Sequence, residues 1–238
     1  MENYLKYLIS LEINYYDIDV NKFKSFQNKF EYYIKNQKKY LNPLLKEKIW
    51  PSHLPNVEKQ LEYYLSLEFL NIQKDDIYVD IASCLSLFPS YVEEIIGCKT
   101  YRQDILYKDL KNPHLIASDA CALPIEKGFF TKMTLHCSLE HFEFDKDTVF
   151  FKEAAKVLKK GGQMLIIPFY MGMEFVELTN PDFAPGCRFH RYYNPEAVQK
   201  RLYEHVKDEF DFSIYVISNY QEVDKECYCC YGLVLTRK

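Results

Sequence analysis

The sequence predicts an α/β fold: a doubly wound, seven-stranded and mostly parallel sheet, preceded by a helical cap. From residue 76 onward, short apolar segments typical of strands alternate with segments of helical periodicity. This alternation indicates parallel strands joined by helical crossovers. The last two strand segments are joined by NYQEVDKE, in which we predict no helix, so the last strand should be antiparallel to its neighbour. With 238 residues, the chain can form one large domain or a domain with an appendage.

Composition argues against several classes of partner. Hydrophobic residues make up 48% of the chain and charged residues 27%, as is typical of globular proteins. The net charge of −4 argues against binding to a nucleic-acid backbone, which normally requires a basic surface. No apolar run approaches the ~18 residues of a membrane span, and the N-terminal segment has no signal-peptide pattern. We therefore expect no nucleic-acid or membrane partner, and the oligomeric state stays open.

The eight cysteines are scattered, mostly within apolar segments. This distribution is typical of buried thiols in a reducing compartment, so we predict a cytoplasmic protein. Cys227 and Cys230 form a C-x-x-C motif, but no second pair of ligands follows it. We predict structural thiols and no metal, with a metal or redox site as the alternative interpretation.

Apolar and helical periodicity place the predicted elements along the chain. The predicted strands are 76–81, 99–104, 114–119, 132–137, 163–169, 212–218 and 227–237. The predicted helices between them lie near 86–96, 146–160 and 195–207. We expect Gly161 and Gly162 to end the second helix, and Asn194 to cap the third, with Pro195 in its first turn.

The N-terminal segment 1–75 is predicted to be a helical cap, separate from a domain formed by residues 76–238. Phe23, Phe26 and Phe30 recur at helical spacing, which favours core packing over a ligand site. Asn56 is placed to cap a second helix. Because this segment precedes the first strand of the domain, we expect it to cover the carboxyl ends of the strands.

Acidic residues stand at the ends of three predicted strands. Asp80, Asp104 and Asp119 end the first, second and third strands of the predicted domain. Open α/β sheets bind ligands at the carboxyl ends of their strands, so these acids are candidates for a binding site. Any one of them taken alone is explained equally well as a cap of a turn or helix.

Five motifs lie at the ends of the predicted strands, in the order DIASCLS, RQD, DACALP, SLEHFE and VLKKGG. In order and spacing they resemble the class I S-adenosylmethionine-dependent methyltransferases, especially the small bacterial enzymes. The resemblance covers about 77–238 and implies a Rossmann-type domain with S-adenosylmethionine as its cofactor. It leaves the N-terminal 75 residues outside.

The resemblance implies roles for the residues at the strand ends. Asp104 would accept hydrogen bonds from both ribose hydroxyls, and on an open pocket it would matter little for folding. Asp119 would accept from the adenine amine, and the Ala120 amide would donate to a ring nitrogen. Asp80 would orient the loop amides or the ammonium group of the ligand, and Ser138 is assigned to the same cofactor site.

The loop after the first strand departs from the family pattern. Ala82, Cys84 and Ser86 occupy positions where the family has glycine. Their small side chains keep part of the close approach that glycine permits, but left-handed backbone becomes costly. Ser83 and Ser86 are candidates for hydrogen bonds to the methionine carboxylate. The alternative is a plain turn in a domain that has lost its ligand.

The acceptor side is predicted from polar residues after later strands. His141 follows the fourth strand and is a candidate general base for a hydroxyl acceptor; the alternative is a packing role. Glu140 is assigned to substrate binding. We discount His136, because a histidine within a strand is usually a core residue. Four more substrate candidates lie in one loop. An equal alternative is that this loop is only a charged segment in contact with solvent. The four candidates are Arg188, His190, Arg191 and Tyr192.

These observations together predict methyl transfer from S-adenosylmethionine to a small-molecule acceptor. One alternative is a catalytically silent module of the same fold that serves as a protein partner. A nicotinamide-dependent dehydrogenase is disfavoured, because the G-x-G-x-x-G motif is absent from the chain.

Overall fold

The computed structural model describes residues 11–36, 56–108, 112–182 and 188–238, and its centre is a twisted sheet. The strands in the order of the chain are β1 (Glu12–Tyr16), β2 (Ile77–Ile81), β3 (Lys99–Gln103), β4 (Leu115–Ile116), β5 (Phe130–His136), β6 (Leu158–Ile167), β7 (Val176–Thr179), β8 (Phe189–Tyr192), β9 (Phe210–Ile217) and β10 (Tyr231–Arg237). Eight of them form one sheet in the order β1-β9-β10-β6-β5-β2-β3-β4, while β7 and β8 form a separate antiparallel hairpin. Strand β10 runs antiparallel to β6 and β9, which confirms the predicted mostly parallel α/β sheet.

Helices cover both faces of the sheet. They are α1 (Val20–Asn36), α2 (Val57–Leu70), α3 (Phe88–Ile96), α4 (Lys146–Val157), α5 (Pro195–Ala197), α6 (Glu204–Val206) and α7 (Tyr220–Val223). A π-helical turn, Val198–Tyr203, joins α5 to α6. The first three helices share one core cluster on one face of the sheet, and α4 to α6 share a second cluster on the other face.

The predicted helix caps are confirmed. The Asn56 side chain accepts a hydrogen bond from the Lys59 amide, and Asn194 accepts one from the Ala197 amide. Between β9 and β10, where we expected no helix, the single turn α7 is present. This turn does not alter the antiparallel pairing of the two strands.

The N-terminal segment is not entirely helical, because residues 12–16 form β1. This strand pairs in parallel with β9 and makes the sheet eight-stranded rather than seven-stranded. Its sequence, EINYY, is rich in aromatic and β-branched residues, and it covers polar backbone groups that β9 would otherwise expose at an edge. Residues 1–10 and 37–55 of the predicted cap lie outside the described residues.

Helices α1 and α2 pack on the sheet as part of its core. Phe26 and Phe30 of α1 contact the ring of Tyr91 on α3, with ring centroids 5.7 and 5.1 Å apart. The division into a cap of residues 1–75 and a domain of residues 76–238 stays a prediction.

The two glycines after α4 serve the strand rather than the end of the helix. Helix α4 ends at Val157, and both Gly161 and Gly162 lie within β6. Gly161 has a φ of +76°, and a Cβ at Gly162 would lie 2.8 Å from the Lys159 carbonyl oxygen. The glycines therefore allow an irregular turn at the start of β6 that a larger residue would obstruct.

Candidate functional site

The candidate site lies where β2, β3, β4 and β5 end, since parallel strands bring their carboxyl ends to one edge of a sheet. Helix α2 approaches this edge from the N-terminal segment. The Tyr63 hydroxyl lies 3.2 Å from Ser86 Oγ, and the Cys137 thiol donates to Glu62 Oε1 at 3.1 Å. Residues outside the methyltransferase resemblance thus contribute to the candidate site.

Asp80 is a buried anchor beneath the loop that follows β2. Only 1% of its surface is exposed. Its carboxylate accepts hydrogen bonds from Ser83 Oγ at 3.1 Å and Thr134 Oγ1 at 2.8 Å, and it lies 2.9 Å from His136 Nδ1. Burial alone would raise the pKa of Asp80, but His136 and the hydrogen bonds hold it below its usual value. Asp80 therefore fixes the loop through Ser83.

His136 is a buried residue that joins the sheet to α2. Its Nδ1 faces Asp80, and its Nε2 lies 2.9 Å from Ser66 Oγ. The order Ser66–His136–Asp80 is that of a hydrolase triad, but Ser66 is fully buried and its hydroxyl donates to the Glu62 carbonyl at 2.8 Å. A nucleophile needs access to a substrate, so this chain of hydrogen bonds has a structural role.

The glycine-free loop adopts the backbone conformation that glycine normally supplies. Ala82 and Cys84 have φ values of +51° and +42°. Three loop amides are held by the next strand: Ala82 N donates to Gln103 Oε1, Ser83 N donates to Gln103 O, and Cys84 N donates to Asp104 Oδ2. A left-handed backbone costs a residue with a Cβ about 1–2 kcal/mol. The loop is therefore strained and held in place by its neighbours.

We expect Cys84→Gly to raise the free energy of unfolding by about 0.5–1 kcal/mol, because relief of the left-handed strain exceeds the entropy cost of glycine. Cys84→Ala is the control, since alanine keeps the Cβ and therefore the strain. Urea denaturation of both variants measures the difference. If Cys84→Gly is no more stable than Cys84→Ala, the loop does not store this strain.

Asp104 is buried rather than placed on an open pocket, which corrects the expectation from the sequence. It is 6% exposed, and its two oxygens accept from Cys84 N at 2.8 Å and Leu106 N at 2.9 Å. Burial raises the pKa of Asp104, although these amides oppose the shift. A carboxylate has about four acceptor positions, so two remain for a ligand. Loss of Asp104 must also affect folding, because two amides would lose their acceptor.

Tyr107 is a loop contact that the sequence analysis missed. Its side chain is buried, and its hydroxyl donates to the Cys84 carbonyl at 2.7 Å. Together with Asp104 it holds Cys84 from both its amide and its carbonyl. Nothing in the sequence pattern distinguished this tyrosine among the 21 in the chain.

The turn after β4 offers polar groups for a base-like ligand. Asp119 pairs with Lys146 at 2.8 Å and accepts from the Cys121 amide at 2.9 Å, and about two fifths of its side chain is exposed. Ala120 is buried beside it. The buried Ser118 Oγ has no hydrogen-bond partner among the described residues. Because buried polar atoms are usually satisfied, this orphan hydroxyl fits a site for a polar ligand.

The remaining serine candidates already make hydrogen bonds in this structure. Ser86 Oγ accepts from the Phe88 amide at 3.3 Å and contacts the Tyr63 hydroxyl. Ser138 Oγ donates to the His136 carbonyl at 2.8 Å. Each hydroxyl can make a further bond, so both can still contact a ligand.

His141 is positioned by the β7–β8 hairpin. Its Nδ1 lies 2.7 Å from the Phe189 carbonyl, and its ring packs edge-on against His190 with centroids 4.6 Å apart. Since a carbonyl only accepts, Nδ1 carries the proton and Nε2 is the acceptor of the neutral ring. Burial lowers the pKa of His141, which favours the neutral form.

Arg191 differs from the expectation of a pocket residue. Its side chain is fully buried and pairs with Asp147 at 3.2 Å and Glu177 at 2.6 Å. It also donates to the Phe144 carbonyl at 2.8 Å. The guanidinium therefore joins the hairpin to α4 rather than facing a substrate.

The other hairpin candidates lie at or near the surface. Arg188 is exposed, and Tyr192 is 42% exposed with its ring against Tyr170 at 5.7 Å. His190 lies beside His141, as described above. Of the four candidates from this loop, His190 thus contacts His141 directly, and Tyr192 contacts Tyr170, which lies beside Cys137.

A polar group that we call the α2 cluster lies against the turn after β5, and sequence reasoning missed most of it. Its members are Glu58, Lys59 and Glu62 of α2, Cys137 and Glu140 of the turn, and Tyr170 after β6. The helical pattern of α2 could not show which sheet edge the helix would approach. Only Glu140 was identified beforehand.

A known family of proteins matches the central part of the chain. Residues 79–166 match the family model described as a methyltransferase domain, which confirms the resemblance to class I methyltransferases. No curated protein matches the chain.

Solved structures share the fold at low sequence identity. The 1,6-didemethyltoxoflavin-N1-methyltransferase of Burkholderia thailandensis, with bound 1,6-didemethyltoxoflavin and S-adenosylhomocysteine, aligns with a TM-score of 0.55 and 13% identity, over 93% of this chain and 91% of that one. A Pyrococcus horikoshii protein aligns with a TM-score of 0.51 and 18% identity, over 83% and 99%. A Haloferax volcanii complex of a methyltransferase with its Trm112 activator aligns with a TM-score of 0.51 and 11% identity, over 87% and 96%.

These comparisons establish the Rossmann-like methyltransferase fold of the chain. None of the helices in the described part of the chain combines the length and the apolar character that a membrane span requires. Within the same ranges, no group of three His, Cys, Asp or Glu residues is arranged to hold a metal ion.

Proposed function

We propose that this chain, which has the class I methyltransferase fold, binds S-adenosylmethionine at the carboxyl ends of β2, β3, β4 and β5 and transfers a methyl group to a small molecule. The main support is the loop after β2. Ala82 and Cys84 keep left-handed backbone at an energetic cost, with no glycine to allow it. A plain turn has no reason to keep that conformation, whereas a cofactor loop does.

The residues at this edge fit the parts of the cofactor. Asp104 would hold the ribose with its two remaining acceptor positions. The orphan Ser118 hydroxyl, Asp119 and the Ala120 amide would face the adenine. Ser83 and Ser86 would lie near the methionine carboxylate. Because Asp104 is buried, cofactor entry requires the segment around it to move.

The cofactor supplies a methyl group already activated by its sulfonium, so the protein mainly has to position the acceptor. Alignment of two reactants can contribute about 7–11 kcal/mol to lowering the barrier. His141, with an acceptor Nε2 and an Nδ1–H fixed by the Phe189 carbonyl, can take a proton from the acceptor. The hairpin residues His190 and Tyr192 would line the acceptor side.

We also propose a cytoplasmic location, because none of the cysteines in the described part of the chain forms a disulfide. The alternative function is a silent module of the same fold that binds a protein. One observation favours this alternative. The Asp104 carboxylate accepts a hydrogen bond from the Cys84 amide, so two groups of the candidate cofactor site are paired with each other in this structure. The structural neighbour from Haloferax volcanii was solved with a protein activator.

Calorimetry with S-adenosylhomocysteine tests the proposal. The wild type should bind this ligand, and Asp104→Ala should bind it about 30- to 150-fold more weakly. This loss corresponds to about 2–3 kcal/mol of binding free energy. It reflects two lost hydrogen bonds to a charged group, which water replaces in part. Asp104→Asn should lose less, since it keeps one acceptor oxygen. Thermal melts monitor folding, which Asp104→Ala should weaken through the freed amides of Cys84 and Leu106.

Tyr107→Phe is the matched control, because it loosens the same loop at Cys84 without removing a ligand acceptor. An affinity loss for Asp104→Ala far above that for Tyr107→Phe supports a direct contact with the ribose. Equal affinities of wild type and Asp104→Ala would exclude Asp104 as the ribose ligand. A folded wild type that binds no S-adenosylhomocysteine would favour the silent module.

A further inference from the structure

The α2 cluster contains more acids than its single lysine can pair. Lys59 Nζ contacts Glu62 Oε2 at 2.6 Å, and Glu62 Oε1 accepts from the Cys137 thiol at 3.1 Å. The Cys137 sulfur also lies 3.8 Å from the Tyr170 hydroxyl. Lys59 and Glu62 thus neutralise each other. Glu140 has no cation of its own among the described residues of the cluster.

Glu140 is the member of the cluster with an unused hydrogen-bonding atom. It is 6% exposed, and its Oε2 is buried with no hydrogen-bond partner in the described part of the chain. Its Oε1 lies 3.6 Å from His141 Nε2, which is too long for a strong hydrogen bond. A buried carboxyl oxygen without a partner is costly, which indicates that a ligand satisfies it.

The surroundings of Glu140 suit a ligand that carries a proton on nitrogen. Burial is the main cause that raises the pKa of Glu140 to about 8. The negative charges of Glu62 and Glu58 raise this pKa further, while the positive charge of Lys59 lowers it. A carboxyl group of this kind exchanges a proton near neutral pH. In its ionised form it can take the proton from an amine that becomes an ammonium during methylation.

We propose, on the basis of the proposed function, that Glu140 is a catalytic residue on the acceptor side and that the acceptor is a primary or secondary amine. The amine nitrogen forms a bond to the methyl carbon with its lone pair. The bond between that carbon and sulfur breaks, and its electron pair stays on the sulfur. Above pH 8, where Glu140 is ionised, the N–H proton passes to its Oε2 instead of to His141, the base proposed for a hydroxyl acceptor. The products are the neutral methylated amine, S-adenosylhomocysteine and a protonated Glu140.

Two cofactor analogues test this assignment without knowledge of the acceptor. Sinefungin carries an amine on the carbon that replaces the methylsulfonium group, so it places an ammonium where the methyl group meets the acceptor. S-Adenosylhomocysteine has only a neutral sulfur there. Above pH 8, where Glu140 is ionised, wild type should bind sinefungin about 10- to 100-fold more tightly than S-adenosylhomocysteine, the range of a charge-assisted hydrogen bond. Glu140→Gln should lose this preference and keep its affinity for S-adenosylhomocysteine.

Matched variants complete the experiment, with calorimetry as the readout. Glu143→Gln makes the same change of charge three residues away, outside the α2 cluster, and should keep the preference. Glu140→Asp should keep part of it. A Glu140→Gln protein that retains the preference while binding S-adenosylhomocysteine would overturn the role of Glu140 and leave the proposed function standing. A wild type that binds neither analogue would overturn the proposed function itself, and this inference with it.

Discussion

Arg191→Ala is expected to lower the free energy of unfolding by about 3–5 kcal/mol, the cost of removing one partner from a buried ion pair. Arg191 and Asp147 are both fully buried, and the guanidinium also contacts Glu177 and the Phe144 carbonyl. After the substitution, Glu177 and the Phe144 carbonyl lose a donor and a cavity remains. Urea denaturation measures the loss.

Arg201→Ala is the matched control for this experiment. Arg201 contacts the same Asp147 carboxylate at 2.7 Å, but about a quarter of its side chain is exposed, so water can replace part of the interaction. We expect a loss of about 1–2 kcal/mol for this variant. An Arg191→Ala protein as stable as Arg201→Ala would show that Arg191 does not anchor the hairpin.

The second large effect is a pH-dependent gain in stability for Glu140→Gln. Glu140 has a pKa of about 8 in the folded protein, against a usual value of 4.5. Between these two values the unfolded chain ionises while the folded protein holds its proton, so wild-type stability falls as pH rises. Above pH 8 the penalty is complete, on the order of 5 kcal/mol at about 1.4 kcal/mol per pKa unit. Glutamine cannot ionise and avoids it.

Chemical denaturation at low and high pH measures this difference. At pH 4.5 the two proteins should be nearly equally stable, and above pH 8 the variant should be the more stable one. The titratable groups that face Glu140 are common to both proteins; they are Glu58, Lys59, Glu62, Cys137, His141 and Tyr170. If the difference between the two proteins does not change with pH, Glu140 is not held protonated by its burial.

The central part of the fold could be predicted because its signals are local. Alternating apolar strands and periodic helices located β2, β3, β5, β6, β9 and β10 to within a few residues. Strand β1 could not be located in this way. It has five residues, and it is a strand only because β9 offers an edge 201 positions later in the chain.

The candidate site could be predicted in position but not in its internal contacts. Asp80 and Asp104 stand at strand ends, as the sequence indicated, yet their burial and bonds depend on residues from other elements. Arg191 lies in a segment whose composition is typical of a solvated loop. In the structure this segment forms β8, and the alternation of side chains along the strand directs Arg191 toward Asp147. The approach of α2 to the turn after β5 is a tertiary contact that no local pattern encodes.

The binding of the cofactor at this edge of the sheet can be tested with a crystal structure grown in the presence of S-adenosylhomocysteine. We expect one ligand at the carboxyl ends of β2, β3, β4 and β5. Its ribose hydroxyls should lie on Asp104, its adenine near Ser118 and Asp119, and its sulfur should face the turn that carries Glu140 and His141. The left-handed backbone at Ala82 and Cys84 should persist. Density for the ligand elsewhere, or none at this edge with Asp104 still bound only to the amides of Cys84 and Leu106, would show that this edge is not the cofactor site.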